Sequence, residues 1–175
     1  NMVPELGKLI IANKLEAYNL PQGTLSQLFR DVAAHKLGTL THVGLNTFVD
    51  PRIEGGKLNS VTTEDIVEVV EVLGQERLLY KAIPVDIAFI RGSIADENGN
   101  VTLEHECCTN EATSIAQAAK NSGGKVIVQV EKVVQAGSVD PKLVKIPGVY
   151  VDALVVCDSK EDHAQCQGCE YDGSM

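Results

Sequence analysis

The chain has 175 residues, 44% of them hydrophobic and 22% charged, a balance that suits a folded domain rather than a disordered tail. Its net charge of −9, with no clustering of Lys or Arg, argues against a nucleic-acid partner, which needs phosphate-neutralising patches. No apolar run approaches the ~20 residues of a membrane span, and no signal peptide is visible. With no Trp, four Tyr and three Phe, the core must be aliphatic and Val-rich, which points to buried strands. Five cysteines, an odd number with Cys107 and Cys108 adjacent, read poorly as a disulfide framework and suggest a reducing cytoplasm.

In chain order, residues 4–13 read as a short helix with Leu6, Leu9 and Ile10 on one side. Leu15 to Asn19 reads as a strand entering the turn Pro21-Gln22-Gly23. From Thr24 the residues Leu25, Leu28, Phe29, Val32 and Ala33 recur at helical spacing, with Lys36 and Gly38 placed for a C-terminal turn and cap. A strand around Thr39–Val43 precedes a long loop, 44–59, of a length that calls for a task. Ile66–Leu73, Gly74-Gln75 and Glu76–Tyr80 predict a β-hairpin, Val85–Arg91 a strand, and Asn98-Gly99 a second hairpin into Val101–Leu103. An Ala-rich helix capped by Asn or Thr is predicted over 110–121. Strands follow over Lys125–Val134 and Val149–Val156. Residues 158–175 are polar and aperiodic. Strands separated by helices imply right-handed βαβ units. The expected fold is α/β, a three-layer sandwich with a mostly parallel central sheet and a β-hairpin excursion near residues 66–104.

The first candidate for chemistry is the Pro21-Gln22-Gly23 turn. In open α/β sheets, ligands bind beyond the carboxyl ends of strands, where helix N-termini also point. Gly23 permits close approach of the backbone, unpaired helix N–H groups favour an anion, and the Gln22 amide can donate to a carboxylate or oxyanion. On spacing alone, an ordinary βα turn explains the same residues.

The wording of the chain adds to its pattern. Glu16-Ala-Tyr-Asn-Leu-Pro-Gln-Gly-Thr-Leu25 and Gly44-Leu-Asn-Thr-Phe-Val-Asp-Pro-Arg-Ile-Glu-Gly-Gly56 resemble the family I coenzyme A transferases. The resemblance continues through Arg91-Gly92, Ala95–Asn100, Ala116–Gly124 and Val144–Asp152. Cys169-Glu-Tyr-Asp172 is similar to the propionate and lactate type. It implies a ping-pong transfer of coenzyme A between short-chain acyl-CoA and free carboxylic acids (the propionate, acetate and lactate class). In it a glutamate attacks the acyl thioester and a glutamyl–coenzyme A thioester follows. The family's nucleophilic glutamate belongs to a second domain, so no catalytic residue is assigned to this chain, which is expected to be inactive alone. The resemblance also implies that residues 1–175 are one truncated first (alpha-type) domain lacking its opening segment, with 158–175 leading towards the second.

By matching positions, Gln22 and Gly23 are expected to face the substrate carboxylate, and Glu54, Gly55 and Gly56 to line the site. Glu54 as the nucleophile is set against a structural ion pair or turn cap, because the family's nucleophile lies elsewhere. Coenzyme A thioester enters as substrate, and no permanently bound cofactor is expected. Partners are acyl-CoA, short-chain carboxylates and a second CoA-transferase domain or subunit. A homo-oligomer is expected from sheet surface left uncovered, with no nucleic acid and no membrane.

His163-x-x-Cys166-x-x-Cys169 has the local spacing of a metal or redox motif but lacks a distant second pair, so no metal is assigned. Asp96-Glu-Asn98-Gly-Asn100 fails as a calcium loop, since Val101 and Cys107 stand where Gly and Glu are required. Cys107-Cys108 read as structural thiols, and His35, His42 and His105 show no partner pattern. The competing class is a non-catalytic binding or interaction module on the same fold. A sugar-phosphate isomerase or deaminase is a more distant third reading.

Overall fold

In a computed structural model, the chain is described over residues 4–106, 108–157, 159 and 162–163. It divides into two compact units, one ending at Ile83 and the other beginning at Pro84.

The first unit starts with helix α1 (Pro4–Ile11) and helix α2 (Gln22–Ala33). Its sheet is antiparallel, with strands β1 (Gly38–Thr41), β2 (Val67–Val72) and β3 (Gln75–Lys81) in the order β1-β3-β2. The predicted hairpin is β2–β3, with Val72 opposite Gln75. Its two turn residues are Leu73 and Gly74, both at positive φ (52° and 73°), the twist that a two-residue hairpin requires. Alternate residues Val67, Leu78 and Tyr80 point inward and, with Val49 and Ile66, form a small buried core. The strand expected over Leu15–Asn19 is absent. That segment makes a single antiparallel bridge, Tyr18 to Lys57, because its neighbour is the long loop rather than a strand.

The second unit holds the parallel sheet. Strands β4 (Ile87–Arg91), β7 (Lys125–Val130) and β10 (Ala153–Val156) run parallel in the order β10-β7-β4. Helix α3 (Ala112–Asn121) joins the β4 side of the chain to β7 and packs on both. It starts at Ala112, preceded by Glu111 without the side-chain cap expected from Asn or Thr. A four-stranded mixed sheet, in the order β8-β5-β6-β9, adds β5 (Ile94–Asp96), β6 (Val101–Thr102), β8 (Lys132–Val134) and β9 (Val144–Ile146).

The strand expected over Lys125–Val134 is therefore two, β7 and β8, broken at Glu131. The ladder carries on through the break, with Gly92 N donating to Gln129 O at 2.8 Å and Glu131 N to Ser93 O at 3.0 Å. A Cβ at Gly92 would collide with Val101, so only glycine lets β6 cross this bend so closely. Likewise Val149–Val156 is a 3-10 turn at Gly148–Tyr150 followed by β10. The Asn98-Gly99 hairpin is present as β5–β6. Its buried Asp96 accepts from the amides of Asn98 and Asn100 (3.0 and 2.9 Å) and from the Asn100 side chain (3.0 Å). Those bonds, the Asn100 side chain first, hold the Asp96 carboxyl below its usual range. Ala88, Ile90, Val101, Ala116, Val126, Val128, Val130 and Ile146 make the unit's aliphatic core.

Candidate functional site

Helix α2 begins two residues earlier than its apolar periodicity indicated, and this places Gln22 and Gly23 in its first turn. Pro21 is the N-cap in an extended conformation (φ −61°, ψ 128°), with no side-chain cap. Its carbonyl accepts from both Thr24 N and Leu25 N at 3.0 Å. The preceding amides, of Gln22 and Gly23, belong to the orphan donors of a helix start, and no acceptor in the described chain meets them. Both residues are exposed, and a Cβ on Gly23 would meet no atom within 4 Å. Packing within the chain thus does not require glycine at position 23. The arrangement offers two backbone N–H groups and a side-chain amide at the positive end of a helix dipole, suited to a carboxylate.

The loop 44–59 is built around Asp50, a buried carboxylate that sequence reasoning passed over. It accepts from Asn46 N at 2.9 Å, from Arg52 N at 3.0 Å, and from Arg52 Nε and Nη2 at 2.9 and 2.8 Å. Arg52 also reaches Glu76 on β3 at 3.0 Å. The Arg52 guanidinium holds the Asp50 carboxyl far below the carboxylate range despite its burial, and backbone donors add to this. The Asp50 carbonyl takes the amides of Ile53, Glu54 and Gly55, so this one residue folds the turn from both its ends. Asp50-Pro51-Arg52 carried the signal, a carboxylate two residues before an arginine across a proline.

Gly55 and Gly56 are buried with φ of 65° and 73°, a left-handed pair that other residues enter only with strain. Gly56 O accepts from Asn19 N at 2.7 Å, and Leu58 N donates to Ala17 O at 2.9 Å. A Cβ at Gly56 would lie 3.0 Å from Asn19 O and 3.1 Å from Leu20 Cδ2. The Gly-Gly turn is thereby laced to the strand-like segment that runs straight into Pro21-Gln22-Gly23. Two of the sequence-derived candidates, separated by thirty residues of chain, are joined through their backbones. Glu54 stands apart from this contact, with its side chain exposed.

Beside the turn lies an open groove of about 260 Å³. Pro21, Gly23, Thr24 and Gln27 form its α2 wall. Thr39, Leu40, Thr41 and Val43 form the facing wall, from β1 and the residues after it. Behind it, buried Asp31 accepts from Thr39 Oγ1 at 2.7 Å, Lys36 Nζ at 2.7 Å and Gln27 Nε2 at 3.2 Å. Burial pushes the Asp31 carboxyl up, but the bonds from Lys36, Thr39 and Gln27 outweigh it and leave it lowered. The Tyr80 hydroxyl donates to Val43 O at 2.8 Å, and burial raises its pKa.

In the second unit, Arg91 binds Glu106 through Nε and Nη2, and donates to His163 O at 3.0 Å. Gln129 Nε2 lies 3.0 Å from His163 Nδ1. Of the His163/Cys166/Cys169 motif, only His163 is among the described residues, as Cys107 is also not. Among the described residues no group of three or more His, Cys, Asp or Glu is arranged to hold a metal ion. His105 pairs with Glu131 at 3.0 Å. No helix of the described chain is long and apolar enough to cross a membrane.

The sequence and the backbone both have relatives. The family model described as "Coenzyme A transferase" matches residues 1–157. A caffeate CoA-transferase of Acetobacterium woodii is 51% identical over 95% of this chain and 32% of its own length. The acetate CoA-transferase YdiF of Escherichia coli K12 is 49% identical over 87% of this chain and 29% of its own. The chain therefore spans about a third of the length of the curated relatives it matches. In three dimensions it superposes on the acyl-CoA transferase YdiF of E. coli O157:H7, solved as a thioester complex with CoA. The TM-score is 0.86 at 48% identity, over 89% of this chain and 30% of that one. Glutaconate coenzyme A-transferase of Acidaminococcus fermentans, at 20% identity and a TM-score of 0.70, shares the fold. With a family model covering nearly its whole length and these α/β relatives beside it, the chain belongs to the coenzyme A transferase family.

Proposed function

We propose that this chain supplies the carboxylate-facing wall of an enzyme that moves coenzyme A between a short-chain acyl-CoA and a free carboxylic acid. The acids are of the acetate, propionate and lactate class. The observation that carries this reading is the lacing of Gly56 to Asn19–Leu20, which fixes the exposed Gln22–Gly23 helix start beside a Gly-rich loop. Gln22 and the first amides of α2 take the acid's carboxylate, or the oxyanion that develops from it, and Gly55-Gly56 shape the edge of that site. Relatives named for acetate and caffeate transfer support the reaction class.

In the proposed cycle, a glutamate outside these residues attacks the acyl thioester. Coenzyme A passes to that glutamate as a thioester, the first acid leaves, and a second acid takes coenzyme A back in reverse. Glu54 is not assigned this step, because the nucleophile of the family lies in another domain. The chain is read as part of a first domain that works with a second domain or subunit, in a homo-oligomer, in a reducing compartment.

The test is exchange of label between acyl-CoA and free propionate or acetate. The full-length enzyme should exchange, and should form an enzyme thioester sensitive to hydroxylamine or borohydride. The 175-residue chain alone should do neither. Exchange by the short chain would overturn the assignment of the nucleophile, and no exchange by the full-length enzyme would overturn the reaction. Binding of a carboxylate without turnover by the full-length protein would instead establish the non-catalytic module.

A further inference from the structure

The groove beside the Pro-Gln-Gly turn has a lining whose chemistry discriminates between classes of acid. Two polar side chains on its walls are tied to one buried carboxylate. Thr39 Oγ1 donates to Asp31 at 2.7 Å, and Gln27 Nε2 to the same carboxylate at 3.2 Å. Thr41 Oγ1 accepts from Val43 N at 3.2 Å. Pro21 and the half-exposed Leu40 and Val43 add apolar surface to the lining. Among the described residues that line it there is no lysine, arginine or histidine. Asp31, behind the wall, is paired with Lys36 at 2.7 Å, so neither charge is left uncompensated. The volume of about 260 Å³ lies below that of pockets for drug-sized ligands and well below the needs of a nucleotide.

We infer that this groove receives the uncharged acyl chain of the acid, and that Leu40 and Val43 set its length and exclude acids bearing a second carboxylate. The inference rests on the reading above, that Gln22 faces the carboxylate, and adds to it the selector on the other side of the turn. A carboxyl end bound at the start of α2 leaves the alkyl end against the β1 wall. A second carboxylate there would lose its water and meet no cation, a penalty that a methyl group does not carry.

The experiment uses the full-length enzyme and compares acceptors by kcat/KM: acetate, propionate, butyrate and succinate. Leu40→Lys should raise the succinate-to-butyrate ratio by at least about tenfold, since it supplies the missing cation. Val43→Phe should lower the butyrate-to-acetate ratio by roughly tenfold or more, as it shortens the groove. Leu40→Ala, which only widens the groove, should raise the same ratio, and it carries the test if the lysine variant fails to fold. Gln22→Ala should lower all four acceptors together and leave the ratios in place. Ratios within twofold of wild type in the Leu40 and Val43 variants would overturn the groove inference while leaving Gln22 in place. Ratio changes there with no effect of Gln22→Ala would keep the groove and remove the Gln22 reading.

Discussion

The two units keep their shape by different means. In the second, eleven buried residues, nearly all aliphatic and many at 0% exposure, form a continuous core across the parallel sheet and α3. In the first, the core is five residues, and the conformation of the 44–59 loop rests on a buried carboxylate, an arginine and a glycine pair. Apolar burial has no direction and tolerates many shapes, whereas a carboxylate with four donors fixes one. The residues proposed to meet substrate are in the unit held by the directional contacts. The difference suggests where precision is spent and where only bulk is needed.

Mutations should separate the two modes. Ile146→Ala, in the aliphatic core of the second unit, should cost about 3 kcal/mol in chemical denaturation, by loss of transfer energy and creation of a cavity. It should leave the hydrogen-exchange protection of the Asp50 loop near wild type. Asp50→Ala should cost about 2 kcal/mol, less than a fully buried ion pair because Arg52 is 45% exposed, yet substantial because Asn46 N and Arg52 N lose their acceptor. Its exchange should rise around residues 46–56 and little elsewhere. A uniform loss in both variants would contradict the division.

A smaller contrast isolates the contact with the turn. Gly56→Ala and Gly74→Ala both place a side chain at φ 73°, but Gly74 has open space where Gly56 has Asn19 O at 3.0 Å. Gly74→Ala should cost about 1 kcal/mol, from backbone strain alone, and Gly56→Ala about 2 kcal/mol. Equal costs would mean that the Asn19 contact yields freely.

The smallest effect is with pH. Asp31, Asp50, Asp96 and Asp152 all have carboxyl pKa values below the ordinary range. Asp152 is lowered to about 2, by the Val126 amide first and then by Lys120 and Lys125. For a depressed folded-state pKa, the stabilisation is complete above the unfolded value of about 4 and fades as pH falls through the folded value. Denaturation midpoints should thus be flat from neutrality to about pH 5 and fall below about pH 4. Asp50→Asn should make that fall shallower. Stability that rises on acidification would run against all four assignments.

Much of the architecture was legible because it is local. The β2–β3 hairpin follows from a Val-rich run and a second run, Glu76–Tyr80, around a glycine, and α2 from the spacing of Leu25, Leu28 and Val32. What the sequence hid was tertiary. Gly92 meets Val101 between β4 and β5, opposite the break between β7 and β8, and Leu15–Asn19 has a loop in place of a strand partner. At the candidate site, wording and turn chemistry single out Gln22, Gly23, Gly55 and Gly56 as candidates. The start of α2 was read two residues late, because polar Gln22 and Gly23 carry no apolar period. Asp50-Pro51-Arg52 hints at a local ion pair, but a one-dimensional pattern does not show that Asp50 is buried.

The central claim is that the start of α2 meets the reacting carboxylate, and Gln22→Ala in the full-length enzyme tests it most directly. Removing one donor from an oxyanion or carboxylate site typically costs 10²–10³ in rate. The account predicts a fall in kcat/KM for acyl exchange of about 100-fold, with thermal stability unchanged because Gln22 is exposed. A kcat/KM within twofold of wild type would contradict it.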